Sequence, residues 1–84
     1  MSYEKMTQLQ SRIIIGTKQT LKAMHNGEVC EVFIAEDADQ HITEKVLNEA
    51  KRLQIPYTLV DSKKKLGKAC KIDVDASTVA VKHE

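Results

Sequence analysis

Scarcity is informative in this chain: its 84 residues hold no tryptophan, one phenylalanine, one proline, three glycines and two cysteines. There is no low-complexity stretch, no proline- or glycine-rich linker and no internal repeat, so residues 1–84 read as a single domain near the lower size limit for independent folding. Cys30 and Cys70 stand far apart, with no C-x-x-C or Cys/His ligand spacing, which argues against a zinc site. Two cysteines in so small a chain fit a reducing cytosol as well as a single disulfide. Met1-Ser2-Tyr3-Glu4-Lys5 has no apolar signal region, and no apolar run approaches membrane-spanning length; a cytoplasmic protein without a membrane partner is expected. The formal net charge is only +1, so the whole-chain balance announces no polyanion partner.

Catalytic signatures are missing too. There is no G-x-x-x-x-G-K-[ST], G-x-G-x-x-G or G-x-S-x-G motif. His25, His41 and His83 have no mutual metal-binding spacing and no nucleophile partner, and solvent-facing positions are expected for all three. The acids of Glu36-Asp37-Ala38-Asp39 lack the glycine and terminal glutamate of a calcium loop and read as helix caps. The expectation is a protein with no enzymatic activity, no cofactor and no metal.

What is present is an alternation of elements. At 42% hydrophobic the chain can build one modest core, and at 30% charged it is a folded, soluble type rather than a disordered one. Tyr3 to Gln10, with Met6 and Leu9 at helical spacing, reads as a short helix, and the β-branched Ile13-Ile14-Ile15 as a strand. Gly16 allows a sharp exit, Thr17 is a plausible N-cap, and Leu21 and Met24 mark the buried face of the helix that Asn26-Gly27 stops. Val29 to Ala35 is apolar except for Glu31, as in a central strand covered on both sides, with Cys30 a small buried residue within it. Asp37 and Asp39 suit the start of the next helix, whose apolar positions are Ile42, Val46, Leu47, Ala50 and Leu53. Ile55-Pro56 ends it; Tyr57 to Val60 is a strand; Asp61 or Ser62 caps a lysine-rich helix that Gly67 weakens; Ser77 to Val81 is the last strand. Such alternation calls for a sheet with helices on both faces.

Two segments carry the functional signal. From Ser62 to Lys71 there are five lysines (Lys63, Lys64, Lys65, Lys68, Lys71) and no acid, whereas Glu28 to Glu49 holds seven acids and one base, Lys45. A basic edge and an acidic edge follow, although a lysine cluster is as readily a solubilising surface. In Gly16-Thr17-Lys18-Gln19-Thr20-Leu21-Lys22, the i, i+3 and i, i+4 spacings put Lys18, Gln19 and Lys22 on one face at a helix start. Cations there oppose the helix dipole, which points to binding rather than stability, while the free N–H groups of a helix start suit phosphate. Ile72-Asp73-Val74 places two apolar residues after the lysines; they either fold into the core or form a platform for an unstacked base. The combination points to RNA.

On these residues the chain resembles the kink-turn-binding ribosomal proteins, the family of the archaeal large-subunit protein "L-seven-Ae", and most closely its compact bacterial members. The resemblance runs from about Ile13 to Val81 and rests on Gly16-x-x-x-Thr20-Leu21-Lys22, Val32-Phe33-Ile34-Ala35-Glu36-Asp37, Ile55-Pro56-Tyr57 and Ser62-Lys63-x-x-Leu66-Gly67-x-Ala69. It implies a three-layer α/β/α sandwich around a mixed four-stranded sheet. It also implies binding to kink-turn RNA, a sharply bent helix built on tandem sheared G·A pairs and a bulge. By resemblance, the RNA-binding residues are Gly16, Thr17, Lys18, Gln19 and Lys22 on the G·A pairs, Ile72, Asp73 and Val74 on a flipped-out nucleotide, and Lys64 and Lys68 on phosphates. The chain departs from the family at Lys18-Gln19, where archaeal members often have Asn-Glu. Gln19 keeps a donor and an acceptor, but a carboxylate that accepts from guanine is lost. The RNA would be ribosomal or a structured mRNA element, the ribosome a possible partner, and the protein a monomer. Two rivals remain: a ribosome-associated assembly protein using its acidic face without kink-turn specificity, and a small α/β enzyme with a pocket at the strand C-termini.

Overall fold

A computed structural model describes residues 12–70, 72 and 74–83. The helix expected over Tyr3 to Gln10, and the residues Lys71 and Asp73, lie outside the described residues. The described elements run β1 (Ile13–Ile15), α1 (Thr17–His25), β2 (Val29–Ala35), α2 (Gln40–Arg52), β3 (Tyr57–Val60), α3 (Lys63–Ala69) and β4 (Thr78–Lys82). The strands form one mixed sheet in the order β1-β4-β2-β3. β4 is antiparallel to both its neighbours, with Ile14 opposite Ala80 and Val32 opposite Ala80 on the other side, while β2 and β3 are parallel, with Ile34 opposite Leu59.

The period of two along each strand divides the apolar residues between two cores. Val32, Ile34 and Ala80 face α1 and α2, where they meet Ala23, Met24, Val46 and Ala50. Phe33, Ala35, Val60, Val79 and Val81 face the other way and meet Leu66 and Cys70 of α3, with Ala76. The central strand is thus covered on both sides, and the architecture is the expected α/β/α sandwich. Met24 is buried as expected; Leu21 is only half-buried. Cys30 is half-buried and Cys70 fully buried; both are free thiols, and burial pushes the Cys70 thiol up from its ordinary value.

The topology decides where function can sit. β1 and β2 are both antiparallel to β4, so β1, β2 and β3 all point the same way. The connections β1-α1-β2 and β2-α2-β3 are therefore crossovers between parallel strands, and both helices pack on one face, as crossovers of a single hand require. Consequently α1 and α2 run the same way, from N-termini at the C-terminal ends of β1 and β2. α3 follows β3 at that end, and β4 starts there, since its first residue, Thr78, pairs with Ile34. One end of the sheet collects three helix starts and residues 74–77 before β4.

Candidate nucleic-acid interface

At this end the first residue to fix the geometry is Gly16. Its φ of +107° is open to glycine and strained for other residues, although a Cβ there would meet nothing within 4 Å. The residue is needed for its conformation, not for space. Gly16, rather than Thr17, is the N-cap of α1. Thr17 is the first helical residue, and its Oγ1 donates to Thr78 Oγ1 at 3.3 Å. The expected Thr17 cap is therefore corrected: the hydroxyl is drawn away by the start of β4. Gly16 N–H donates to the Thr78 carbonyl at 3.1 Å, a second tie between the same two segments.

Because Gly16 has no side chain, α1 starts without a side-chain cap. The other two helices differ. Asp39 caps α2, accepting from His41 N–H at 2.8 Å. Ser62 caps α3, accepting from Lys65 N–H at 3.2 Å. Asp37, expected to serve the helix that follows it, instead accepts from Lys63 N–H at 2.8 Å and serves α3. At α1 no side chain among the described residues caps the first-turn N–H groups, and the side chains of Lys18, Gln19 and Lys22 beside them are exposed. Thr20 of the same motif is fully buried, and its Oγ1 makes no hydrogen bond among the described residues. It packs into the core and takes no part in the exposed face.

The second half of the site is the loop before β4. Val74 is 68% exposed, whereas Ile72 is half-buried against the α3 core. The two residues have different places, as the sequence suggested: Val74 presents its side chain to solvent, and Ile72 covers the end of α3. Lys64 and Lys68 project from α3 into solvent, with Lys65 also exposed and paired to Asp61 at 3.8 Å. Gly67 does more than weaken α3. A Cβ on it would lie 2.2 Å from the Val74 carbonyl oxygen and 3.3 Å from Ala76 N. The loop rests directly on the helix backbone at this point. Ile72 N–H donates to the Gly67 carbonyl at 3.1 Å, and Ala76 N–H to the Lys63 carbonyl at 3.0 Å. Ser77 accepts from Ala35 N–H at 2.9 Å, so the loop is anchored to the sheet as well.

Thus the structure gathers Gly16, Thr17, Lys18, Gln19, Lys22 and Val74 at one end of the sheet, with Lys64 and Lys68 on the helix under the loop. Sequence reasoning missed what holds them: Thr78, the service of Asp37 to α3, and the seat at Gly67. Only the last had a signal, since a glycine inside a helix often marks a close approach. A further cluster went unread. His25 is solvent-facing as expected and also meets Glu49 through Nε2, and Arg52 donates to the two oxygens of Glu49 at 2.9 and 2.8 Å. Arg52 first, and then His25, pull the Glu49 carboxyl down from 4.5 to about 2. Among the described residues there is no group of three or more His, Cys, Asp or Glu that could hold a metal, and no helix long and apolar enough to cross a membrane.

The fold defines an α/β/α sandwich with an uncapped helix start, exposed cations beside it and an exposed aliphatic side chain in the loop before β4. The chain belongs to the ribosomal protein L7Ae/L30e/S12e/Gadd45 family, whose model matches residues 2–84. It is 57% identical over 81 residues to the RNA-binding protein YbxF of Geobacillus stearothermophilus and 56% identical over 81 residues to an RNA-binding protein of Geobacillus thermodenitrificans, in each case across 96% of this chain and 98% of the relative. In three dimensions it resembles the 15.5 kD RNA-binding protein of Giardia lamblia, with a TM-score of 0.88 at 26% identity, covering 99% of this chain and 74% of that one.

Proposed function

We propose that this protein binds RNA and recognises the kink-turn, stabilising the bent conformer. The observation that carries the reading is the uncapped N-terminus of α1, with Lys18, Gln19 and Lys22 exposed beside it and Val74 exposed at the same end of the sheet. Backbone N–H groups and lysines supply contacts to phosphate; Gln19 supplies a donor and an acceptor for a base edge; Val74 supplies an apolar surface for an unstacked nucleotide. Family membership and relatives named as RNA-binding proteins support the same reading. In this reading Gly16 and Thr17 set the helix start, Lys64 and Lys68 meet phosphates, and Asp73 contacts the RNA. The protein acts as a cytoplasmic monomer on ribosomal or other structured RNA and catalyses nothing.

A protein that binds the bent conformer more tightly than the extended one shifts the RNA equilibrium by that difference in affinity and no more. The test is a titration against a kink-turn duplex and a duplex of matched composition with Watson–Crick pairs in place of the G·A pairs. Much tighter binding to the kink-turn is expected at physiological salt. Equal affinity for the two would refute conformational recognition and leave general RNA binding.

A further inference from the structure

Between α1 and α2 lies a cleft of about 650 Å³ that none of the residues assigned above explains, Lys22 excepted. Its floor includes the half-buried Leu21, and its walls are Lys22, His25 and Asn26 from α1 and Lys45, Asn48, Glu49 and Arg52 from α2. Glu49 is the one carboxylate in this lining, and it is already engaged by Arg52 and His25. Lys22 and Lys45 are exposed, and their ammonium groups have no ion-pair or hydrogen-bond partner among the described residues. The lining therefore carries a net positive charge, with two unengaged ammonium groups and two side-chain amides. Lys45 is the single base in the acid-rich Glu28–Glu49 stretch, and the fold turns it into this cleft.

The direction of the helices places the cleft relative to the RNA. α1 and α2 run the same way from the end of the sheet that holds the proposed site. His25 meets Glu49 across the cleft. Lys22 precedes His25 by three residues and Lys45 precedes Glu49 by four, so both stand about one turn nearer that end. Lys22 belongs to the base-reading face and to the cleft at once, and the basic surface continues from one to the other without an intervening acid in the lining.

We propose that the α1–α2 cleft is a second RNA contact, receiving the phosphate backbone of one arm of the RNA that flanks the kink, with Lys45 as its principal cation and the Arg52–Glu49–His25 cluster holding the wall in place. This rests on the RNA-binding reading above and extends it from the kink to the arm. Such a contact adds affinity for longer RNAs without changing which kink is recognised, because phosphate contacts position and do not read bases.

The experiment compares a minimal kink-turn with two versions in which one arm or the other is lengthened by about one helical turn, for the native chain, Lys45→Ala and Lys45→Arg. One lengthened RNA is expected to bind the native protein more tightly than the minimal one at low salt. Each added phosphate contact steepens the salt dependence by a slope of about 0.9, so the gain shrinks about threefold per contact between about 50 mM and about 200 mM salt. Lys45→Ala should abolish that gain while leaving affinity for the minimal kink-turn unchanged, and Lys45→Arg should keep it. Lys45 is exposed, so the variants should fold, which thermal unfolding checks. If neither arm adds affinity, or if the gain survives Lys45→Ala, the cleft is not an RNA contact and the proposal is overturned. Failure of the kink-turn reading shows separately, as equal binding of the minimal kink-turn and the straight duplex.

Discussion

Replacing Gly67 by alanine separates two physical arguments, because they predict opposite signs. Helix propensity alone favours the change: alanine is better than glycine in a helix interior by about 1 kcal/mol. The tertiary structure opposes it. The new methyl carbon would stand 2.2 Å from the Val74 carbonyl oxygen, and that neighbour is backbone, with no flexible side chain to swing aside. An ordinary contact needs about 3.5 Å, so helix and loop must separate by roughly 1 Å. Two hydrogen bonds join them, Ile72 N–H to the Gly67 carbonyl and Ala76 N–H to the Lys63 carbonyl. Losing both costs about 2 kcal/mol, and overpacking alone costs about 1–3 kcal/mol. After subtracting the propensity gain, a net destabilisation of about 2–4 kcal/mol is expected. For a chain of this size each 1 kcal/mol lowers Tm by about 4–8 °C. Because the displaced atoms belong to the loop that presents Val74, RNA affinity should fall even at temperatures where the variant is fully folded. The assay is thermal unfolding by circular dichroism, followed by kink-turn titration well below Tm. A raised Tm with unchanged affinity would mean that the loop does not rest on Gly67, and the argument would fail.

Two further outcomes follow from the site. Gln19→Ala and Lys22→Ala should each cost about 1–3 kcal/mol in kink-turn binding and reduce discrimination against the straight duplex, whereas Lys64→Ala and Lys68→Ala should weaken all RNAs evenly and lower the salt slope by about one; intact discrimination in the first pair would show that the reading face is misassigned. Val74→Ala should leave Tm nearly unchanged and reduce RNA affinity, while Ile72→Ala, which truncates a side chain packed on the α3 core, should lower stability first; the reverse pattern in paired unfolding and titration experiments would exchange their roles.

Several parts of the molecule were legible in one dimension because local chemistry decides them. Three consecutive isoleucines are stiff at χ1 and make β1; Val46 and Ala50, one turn apart, make the buried stripe of α2; Asn26-Gly27 ends α1 with Gly27 at a φ of +72°. The exposed face of Lys18, Gln19 and Lys22 follows from helical spacing once α1 is known. The motif series was enough for family and architecture, since each motif marks the junction of two elements. What the sequence left open depends on partners far along the chain. Thr17 is a competent cap by type, but Thr78 stands 61 residues away and takes its hydroxyl. Asp37 is near α2 in sequence, yet α3, 26 residues on, receives its carboxylate. Ile72 and Val74 are both aliphatic, and only the seat of the loop on Gly67 sends one inward and the other out. These outcomes share one physical cause. Local propensities set where elements begin and end, whereas the parallel crossovers decide which ends meet, and a polar or apolar side chain there takes whichever partner the topology brings within about 3 Å. The helix starts and the loop before β4 came to the same end of the sheet only through the strand order β1-β4-β2-β3.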